Sequence, residues 1–450
     1  MARKYLIETF GCQMNEHDSE RMAGLLERDG YAPAVDEIDA DLIVINTCSV
    51  RERSVDKLHS RLGEIRERTA MLPETPMVAV TGCVAQQEGE QLLRRDRSID
   101  VVVGTQRLKE LPALVDSARA SRRRRVDVSL HDDVSFPLGV VRHADPVRAR
   151  VTIVEGCNEF CSFCVVPYTR GNERMRPAAD IVAEARAAAE SGHPEVQLLG
   201  QIVNHYQAPD DPSCDFAELL GRVSAVDGIE RVRFASPHPR HVGERLIHAM
   251  RDLPKVCKHL HLPVQSGSNR ILKAMRRRYS REEYIDLVSR ARQAVPGLTV
   301  STDMIVGFPG ETDADFEQTM DLVRTIRYQS MYSFKYSPRP NTLALKRLAD
   351  DVPEGEKASR IFALQSLQRE IQSEWHASLV GTVAEVLVDG ASRRRDWELQ
   401  GRTGGNTVVN FAGPADWIGR LVAVRVTSAG PNSLRGEALQ PAASECIHAD

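Results

Sequence analysis

The chain reads as an α/β protein in three modules: an N-terminal open parallel α/β sheet, a central partial (β/α)6 barrel and a C-terminal small all-β, OB-like barrel. Three patterns predict this. Short apolar strands at 4–8, 42–46, 77–81 and 101–103 alternate with amphipathic helical stretches at 16–28, 54–68 and 86–94. The alternation resumes with longer spacing between about 148 and 345. A run of short strands broken by Gly, Asn and Pro then fills 380–440. The expected divisions are 1–118, a linker at 119–145, 146–378 and 379–441.

In the central module, strands are expected at 151–154, 196–199, 231–235, 259–264, 299–306 and 330–336, with helices at 180–191, 282–294 and 314–326 between them. Six βα units fall short of the eight that close a barrel, so one side stays open. A helical tail at 354–378 leads to strands at 382–388, 397–403, 407–411 and 421–427. The linker is marked by Arg122 to Arg125 and by Pro137 and Pro146.

Hydrophobic residues make up 42% of the 450 and charged residues 27%, the balance of a folded chain and not a disordered one. No apolar run approaches the roughly 18 residues of a membrane helix, and Glu8 and Gly11 interrupt any leader-like stretch. A cytoplasmic location without membrane attachment is expected. A net charge of −4 argues against a general polyanion binder, so any nucleic-acid surface must be local.

Nine cysteines are too few for a disulfide scaffold in a chain of this length. Cys157, Cys161 and Cys164 form a C-x3-C-x2-C run just past the strand at 151–154, at the end of the barrel where active sites sit. Structural zinc wants four ligands, whereas three thiolates can hold three irons of a 4Fe-4S cubane and leave one iron open. Phe163 could stack on an adenine or simply pack. Cys12, Cys48 and Cys83 each follow one of three N-terminal strands and precede a helix. Parallel strands bring such positions to one edge, where helix N-termini favour thiolates, although three unrelated thiols would give the same spacing. Cys214, Cys257 and Cys446 have no companion spacing and read as inert.

The C-x3-C-x-aromatic-C run after the first barrel strand resembles the radical S-adenosylmethionine superfamily. That resemblance implies an open iron that binds S-adenosylmethionine and a 5′-deoxyadenosyl radical made by its reductive cleavage. Gly200 and Gln201 stand where the superfamily grips the methionine amino group, with Gln in place of the usual Glu. Ser236, Gln265, Ser266 and the Gly307-Phe-Pro-Gly-Glu311 turn are further candidate contacts on strand ends.

Two three-Cys sites and a terminal β module together resemble the methylthiotransferase family, with its TRAM RNA-binding domain, over nearly the whole chain. Thr9-Phe-Gly-Cys-Gln-Met-Asn15, Asn46-Thr-Cys-Ser-Val-Arg51, the stretch from Gly156 to Gly171, and Ser333-Phe-Lys-Tyr-Ser-Pro-Arg-Pro340 are similar to its tRNA-modifying MiaB branch. Ile202, His205, Met175 and Asn341 depart from that branch, which usually has Asn, Ser, Ser and Gly there.

The resemblance implies two 4Fe-4S clusters, S-adenosylmethionine, and methylthiolation of N6-isopentenyl-adenosine at tRNA position 37 in the anticodon loop. It also implies an electron donor such as flavodoxin or ferredoxin, and the chain is expected to act as a monomer. Rivals are methylthiolation of threonylcarbamoyl-adenosine or of a ribosomal-protein aspartate, and a non-catalytic metal-stapled RNA-binding protein. Arg402 is the candidate RNA contact. The basic runs Arg122 to Arg125 and Arg276 to Arg278 suit phosphates or a solvated face equally.

Overall fold

The structure is a computed structural model that describes residues 2–49, 52–130, 141–392, 395 and 397–439, without the side chains of 52–55. The N-terminal module is a six-stranded sheet of β1 (Lys4–Phe10), β2 (Ala32–Pro33), β3 (Leu42–Thr47), β4 (Met77–Thr81), β5 (Val101–Val103) and β6 (Arg125–Asp127). All are parallel, in the order β2-β1-β3-β4-β5-β6. Parallel strands covered on both faces run continuously apolar, as the fully buried β3 does. Its Leu42 and Val44 face Met22 and Leu26 of the helix Gln13–Arg28. Its Ile43 and Ile45 face Leu58, Leu62 and Ile65 of the helix Glu52–Thr69.

The sheet is wider than expected. β2 is two residues long, too short to show a period. β6 falls inside the stretch read as linker, because the helix Leu111–Ser121 returns the chain to pair with β5. The Arg122 to Arg125 run therefore turns into a strand, where Arg124 donates to the Leu93 carbonyl and Arg125 to Ser121 Oγ. The helix expected at 86–94 is two short ones, Cys83–Glu88 and Glu90–Arg95, broken at Gly89, whose φ is +51°.

Six parallel barrel strands follow: β7 (Arg148–Thr152), then, after the small antiparallel pair β8 (Val154–Glu155) and β9 (Arg174–Met175), β10 (Glu195–Leu199), β11 (Arg231–Phe234), β12 (His259–His261), β13 (Thr299–Val306) and β14 (Ser330–Lys335). They form two triplets, β7-β10-β11 and β12-β13-β14, joined where Val256 bridges Val232. β7 and β14 do not pair, so the barrel is open there. Period-two alternation sends Ala149, Val151, Val196, Leu198 and Val232 into the core shared with the surrounding helices. The intervening Arg148, Arg150, Glu195, Gln197, Arg231 and Arg233 occupy the other, inner face. No helix of the described residues is long and apolar enough to cross a membrane.

The C-terminal module is a closed barrel of β15 (Val383–Ala391), β16 (Glu398–Thr403), β17 (Val408–Ala412), β18 (Leu421–Ala429) and β19 (Leu434–Ala438), in the order β15-β16-β17-β19-β18. Four of these strands are expected from the sequence. The fifth, β19, closes the barrel by pairing parallel to β17 and antiparallel to β18. The module docks on the inner face of the open barrel through two arginines. Arg231 donates to the carbonyls of Arg402 and Glu385, and Arg233 to those of Thr403 (2.7 Å) and Gly404 (3.4 Å). Glu195 holds Arg233 at 2.8 Å and also pairs with Arg148.

Breaking a buried ion pair by deleting one partner leaves the other charge stranded. Arg233→Met should therefore cost about 3 kcal/mol in urea unfolding. It should also speed proteolytic cleavage between the helix Glu354–Ser378 and β15; unchanged cleavage would mean that the module docks by other contacts.

Candidate active site

Cys12 caps the helix that follows β1, Cys48 comes just after β3, and Cys83 opens the helix after β4. Adjacent parallel strands end at one edge, so the three thiols meet there. The backbone passes close enough that a Cβ on Gly11 would lie 2.8 Å from that of Cys48, and one on Gly82 2.4 Å from Asn46 Oδ1. Asn15 Nδ2 donates to Asn46 Oδ1 at 2.9 Å, and Asn46 Nδ2 donates back to the Asn15 carbonyl at 2.8 Å. These amides tie the loop ends together. The Cys48 thiol bonds to Cys12 and Cys83; this pushes its own pKa up and, helped by the nearby Arg170 guanidinium, holds theirs below the ordinary thiol value despite burial.

The second triad lies on the loop after β8. Gly156 sits at φ +83°, and a Cβ there would lie 2.0 Å from the Asn172 carbonyl, so only glycine fits. Cys157 N donates to the Gly171 carbonyl (3.1 Å) and Cys164 N to the Cys161 carbonyl (3.0 Å). Ser162 anchors the middle of the loop, its N bonded to the Met275 carbonyl and its Oγ to that of Ala274. Burial pushes the Cys157 thiol up to about 11 and Cys164 to about 12. Ligation by iron would displace those protons.

Sulfur spacing tests the metal each triad suits. Tetrahedral zinc with bonds of about 2.3 Å brings its sulfurs within about 4 Å of one another. Among the described residues, the group whose ligand atoms all lie within 4.8 Å is Glu159, His238 and His241, and neither cysteine triad is that compact. Each triad supplies three thiolates, the donor set of a cubane with one open iron and one short of the four ligands that structural zinc takes. The His–Glu group does not suit a cation either. His238 Nδ1 accepts from the Arg240 amide, which leaves the proton on Nε2, and Arg240 and Arg278 both lie beside Glu159.

The other expected site residues divide. Gln201 Oε1 accepts from Gly156 N at 2.5 Å and so supports the cysteine loop, while a Cβ on Gly200 would press on Val154. Ser236 (φ +62°) and Gln265 (φ +77°) are left-handed non-glycine residues just past β11 and β12, strain of the kind that gathers at functional sites. Phe160, inside the cysteine loop, shares it at φ +48°. Ser266 is fully buried, and its hydroxyl serves its own turn by accepting from Ser268 N. Phe163 packs against the cluster of Ile271, Met275, Phe308 and Tyr336. Arg402 lies beside Asp389 and donates to Asn406, on the rim of a cleft of about 710 Å³ that also takes in Glu20, Arg148 and Arg150. The cleft is thus lined by all three modules.

Of the four departures, Asn341 sits at φ +69°, which explains a usual glycine and why Asn, the next most tolerant residue, replaces it. His205 stacks on His241 with ring centroids 4.3 Å apart and bonds Glu173 at 2.8 Å. Met175 sulfur accepts from Gln207 N, and Ile202 is buried. Cys214 and Cys257 are buried singly, as expected, and Cys446 lies outside the described residues.

Sequence reasoning missed the contact that joins the triads. Arg170, from the central module, donates to Asp18 of the N-terminal helix at 2.6 Å, and Arg21 of that helix donates to Glu155 at 2.7 Å. All four side chains are buried. Against the pull of burial, Arg21 and Arg170 hold the Glu155 carboxyl below its ordinary range. Glu155 and Arg170 flank the Cys157–Cys164 loop in sequence, and Asp18 and Arg21 follow Cys12 by about two turns of helix. Their place beside the motifs was the available signal.

Residues 4–104 match the uncharacterized protein family UPF0004, 151–323 the radical SAM superfamily and 377–439 the TRAM domain. Three proteins named tRNA-2-methylthio-N(6)-dimethylallyladenosine synthase match at nearly full length. That of Alkalilimnicola ehrlichii is 46% identical over 98% of both chains, and that of Methylococcus capsulatus 47% identical over 97% of this chain and 95% of its own. That of Pseudomonas fluorescens is 46% identical over 98% of this chain and 100% of its own. Among solved structures, the radical S-adenosylmethionine methyltransferase TsrM of Kitasatospora setae aligns with a TM-score of 0.56 at 15% identity, covering 77% of this chain and 74% of its own. That likeness bears on the fold. With its three modules in this order and its full-length relatives, the chain belongs to the tRNA-2-methylthio-N(6)-dimethylallyladenosine synthase family of radical S-adenosylmethionine enzymes.

Proposed function

We propose that the chain replaces the C2 hydrogen of N6-isopentenyl-adenosine, at tRNA position 37 beside the anticodon, with a methylthio group. The observation that carries this reading is the crossed contact, Arg170–Asp18 and Arg21–Glu155, which ties the segment around the central cysteines to the Cys12 helix and brings the Arg170 guanidinium near Cys12 and Cys83. A single radical site needs no such partner.

Cys157, Cys161 and Cys164 hold the radical-generating 4Fe-4S cluster, with Gln201 supporting their loop and Ser236, Gln265 and Phe163 bordering S-adenosylmethionine. When bound, that cluster supplies the electron for reductive cleavage of S-adenosylmethionine. Cys12, Cys48 and Cys83 would hold an auxiliary 4Fe-4S cluster that would supply sulfur, and Arg170 places a positive charge beside the Cys12 and Cys83 thiolates. The cleft rimmed by Arg402 and Arg150 receives the anticodon loop, whose target base must leave its stack to be reached. The electron donor is a low-potential protein such as flavodoxin or ferredoxin, and the enzyme works as a cytoplasmic monomer.

Anaerobic reconstitution should give about eight irons per chain, two cubanes' worth. Stoichiometric zinc without cleavage of S-adenosylmethionine would favour the metal-stapled binding protein. Cys157→Ala should abolish that cleavage. Cys48→Ala should keep some cleavage yet yield no methylthio-adenosine; product from this variant would refute the auxiliary-cluster role. Mass spectrometry of tRNA nucleosides from a strain lacking the gene should show N6-isopentenyl-adenosine accumulating unthiolated. Loss of a threonylcarbamoyl derivative instead would move the substrate to that rival.

A further inference from the structure

The run Arg276-Arg277-Arg278, which suits phosphates or a solvated face equally in sequence, is split in three dimensions. Arg276 (φ +60°) and Arg278 (φ +56°) are both left-handed and exposed, whereas Arg277 between them is buried. Two backbone reversals in three residues turn the middle side chain inward. There each of its three nitrogens is engaged: Nη1 with Cys161 Sγ at 3.4 Å, Nη2 with the Pro263 carbonyl at 2.7 Å and Nε with Tyr279 Oη at 2.8 Å. Tyr279 is itself held, donating to the Val264 carbonyl at 3.0 Å, and its ring lies 5.3 Å from the guanidinium carbon.

None of these partners is a carboxylate. A buried guanidinium bonded to a neutral carbonyl and a neutral phenol keeps a full uncompensated charge, which is costly unless a counter-charge is near. The sulfur of Cys161 is that counter-charge once it is a ligand, because a cubane on three thiolates carries net negative charge. Glu159, the acidic side chain between Cys157 and Cys164, is engaged by Arg240, Arg278 and His241 instead.

Resting on the radical-site reading above, we infer that Arg277 is a positioning residue that raises the reduction potential of the Cys157–Cys161–Cys164 cluster through a charge-assisted N–H···S bond to Cys161. Reduction adds one electron from a low-potential donor and breaks no bond. The reduced form is more negative by one charge, so a fixed cation and hydrogen bond at a ligand sulfur stabilise it over the oxidised form. Tyr279 and the Pro263 carbonyl keep the fork aimed.

The test uses the full chain with Cys12, Cys48 and Cys83 changed to Ala, so that one cluster reports, and EPR-monitored redox titration with dithionite. Arg277→Gln should lower the midpoint enough to cut the reduced-to-oxidised ratio at a fixed potential about tenfold, or about 59 mV for one electron. Arg277→Lys should recover part of that loss, and Arg276→Gln should leave the midpoint where it was. An unchanged midpoint in Arg277→Gln at parental iron content would overturn the inference. If Arg277→Gln loses its iron, Tyr279→Phe decides: it keeps the charge but frees the fork, so a smaller fall supports the inference and an unchanged midpoint overturns it. Failure of the parent to assemble any reducible cluster would instead count against the radical-site reading.

Discussion

The arrangement depends on one crossed pair of buried ion contacts. Each module contributes one arginine and one acid: Arg21 and Asp18 from the first helix, Glu155 from β8 and Arg170 from the far side of the cysteine loop. Buried ion pairs add little net stability, since desolvation offsets most of their attraction, but a mismatch is costly because it strands a charge. Such a pair is therefore better at fixing register than at adding strength. Sliding the modules past each other by one helical turn would unpair both arginines. The two cysteine sites inherit their relative position from that penalty.

Around this contact the central module puts its polarity on the inside. The apolar side of each barrel strand goes to the helices, and the face that a closed barrel would fill with branched apolar residues carries Arg148, Arg150, Glu195, Arg231 and Arg233. Incomplete closure makes that possible, because the lumen need not be dry. The same openness gives the C-terminal barrel a place to dock and leaves the upper rim, with its left-handed Phe160, Ser236 and Gln265, for chemistry.

Much of this was legible in the chain. Four consecutive apolar positions, Met77 to Val80, make the strand Met77–Thr81 legible, and the cysteine spacings carry both triads. What escaped has physical reasons. β2 and β6 are edge strands of two and three residues, below the length at which periodicity speaks, and β19 is held only by partners brought in by closure. Charged residues hid best: Arg170, Arg21 and Arg277 look like surface residues in sequence, since nothing local shows that an acid or a sulfur awaits them across the fold. The triple-arginine run was ambiguous because backbone sign, not side-chain identity, sorts its members into inside and outside.

The C-terminal barrel is gripped mainly by main-chain oxygens, those of Glu385, Arg402, Thr403 and Gly404, joined by the Glu385 carboxylate and the Thr407 hydroxyl. A grip on peptide carbonyls is nearly indifferent to which side chains the gripped strands display. Mutations that repaint the outer surface of this module, away from Glu385 and Thr407, can therefore accumulate without loosening its attachment to the central module. Attachment and surface chemistry can change separately.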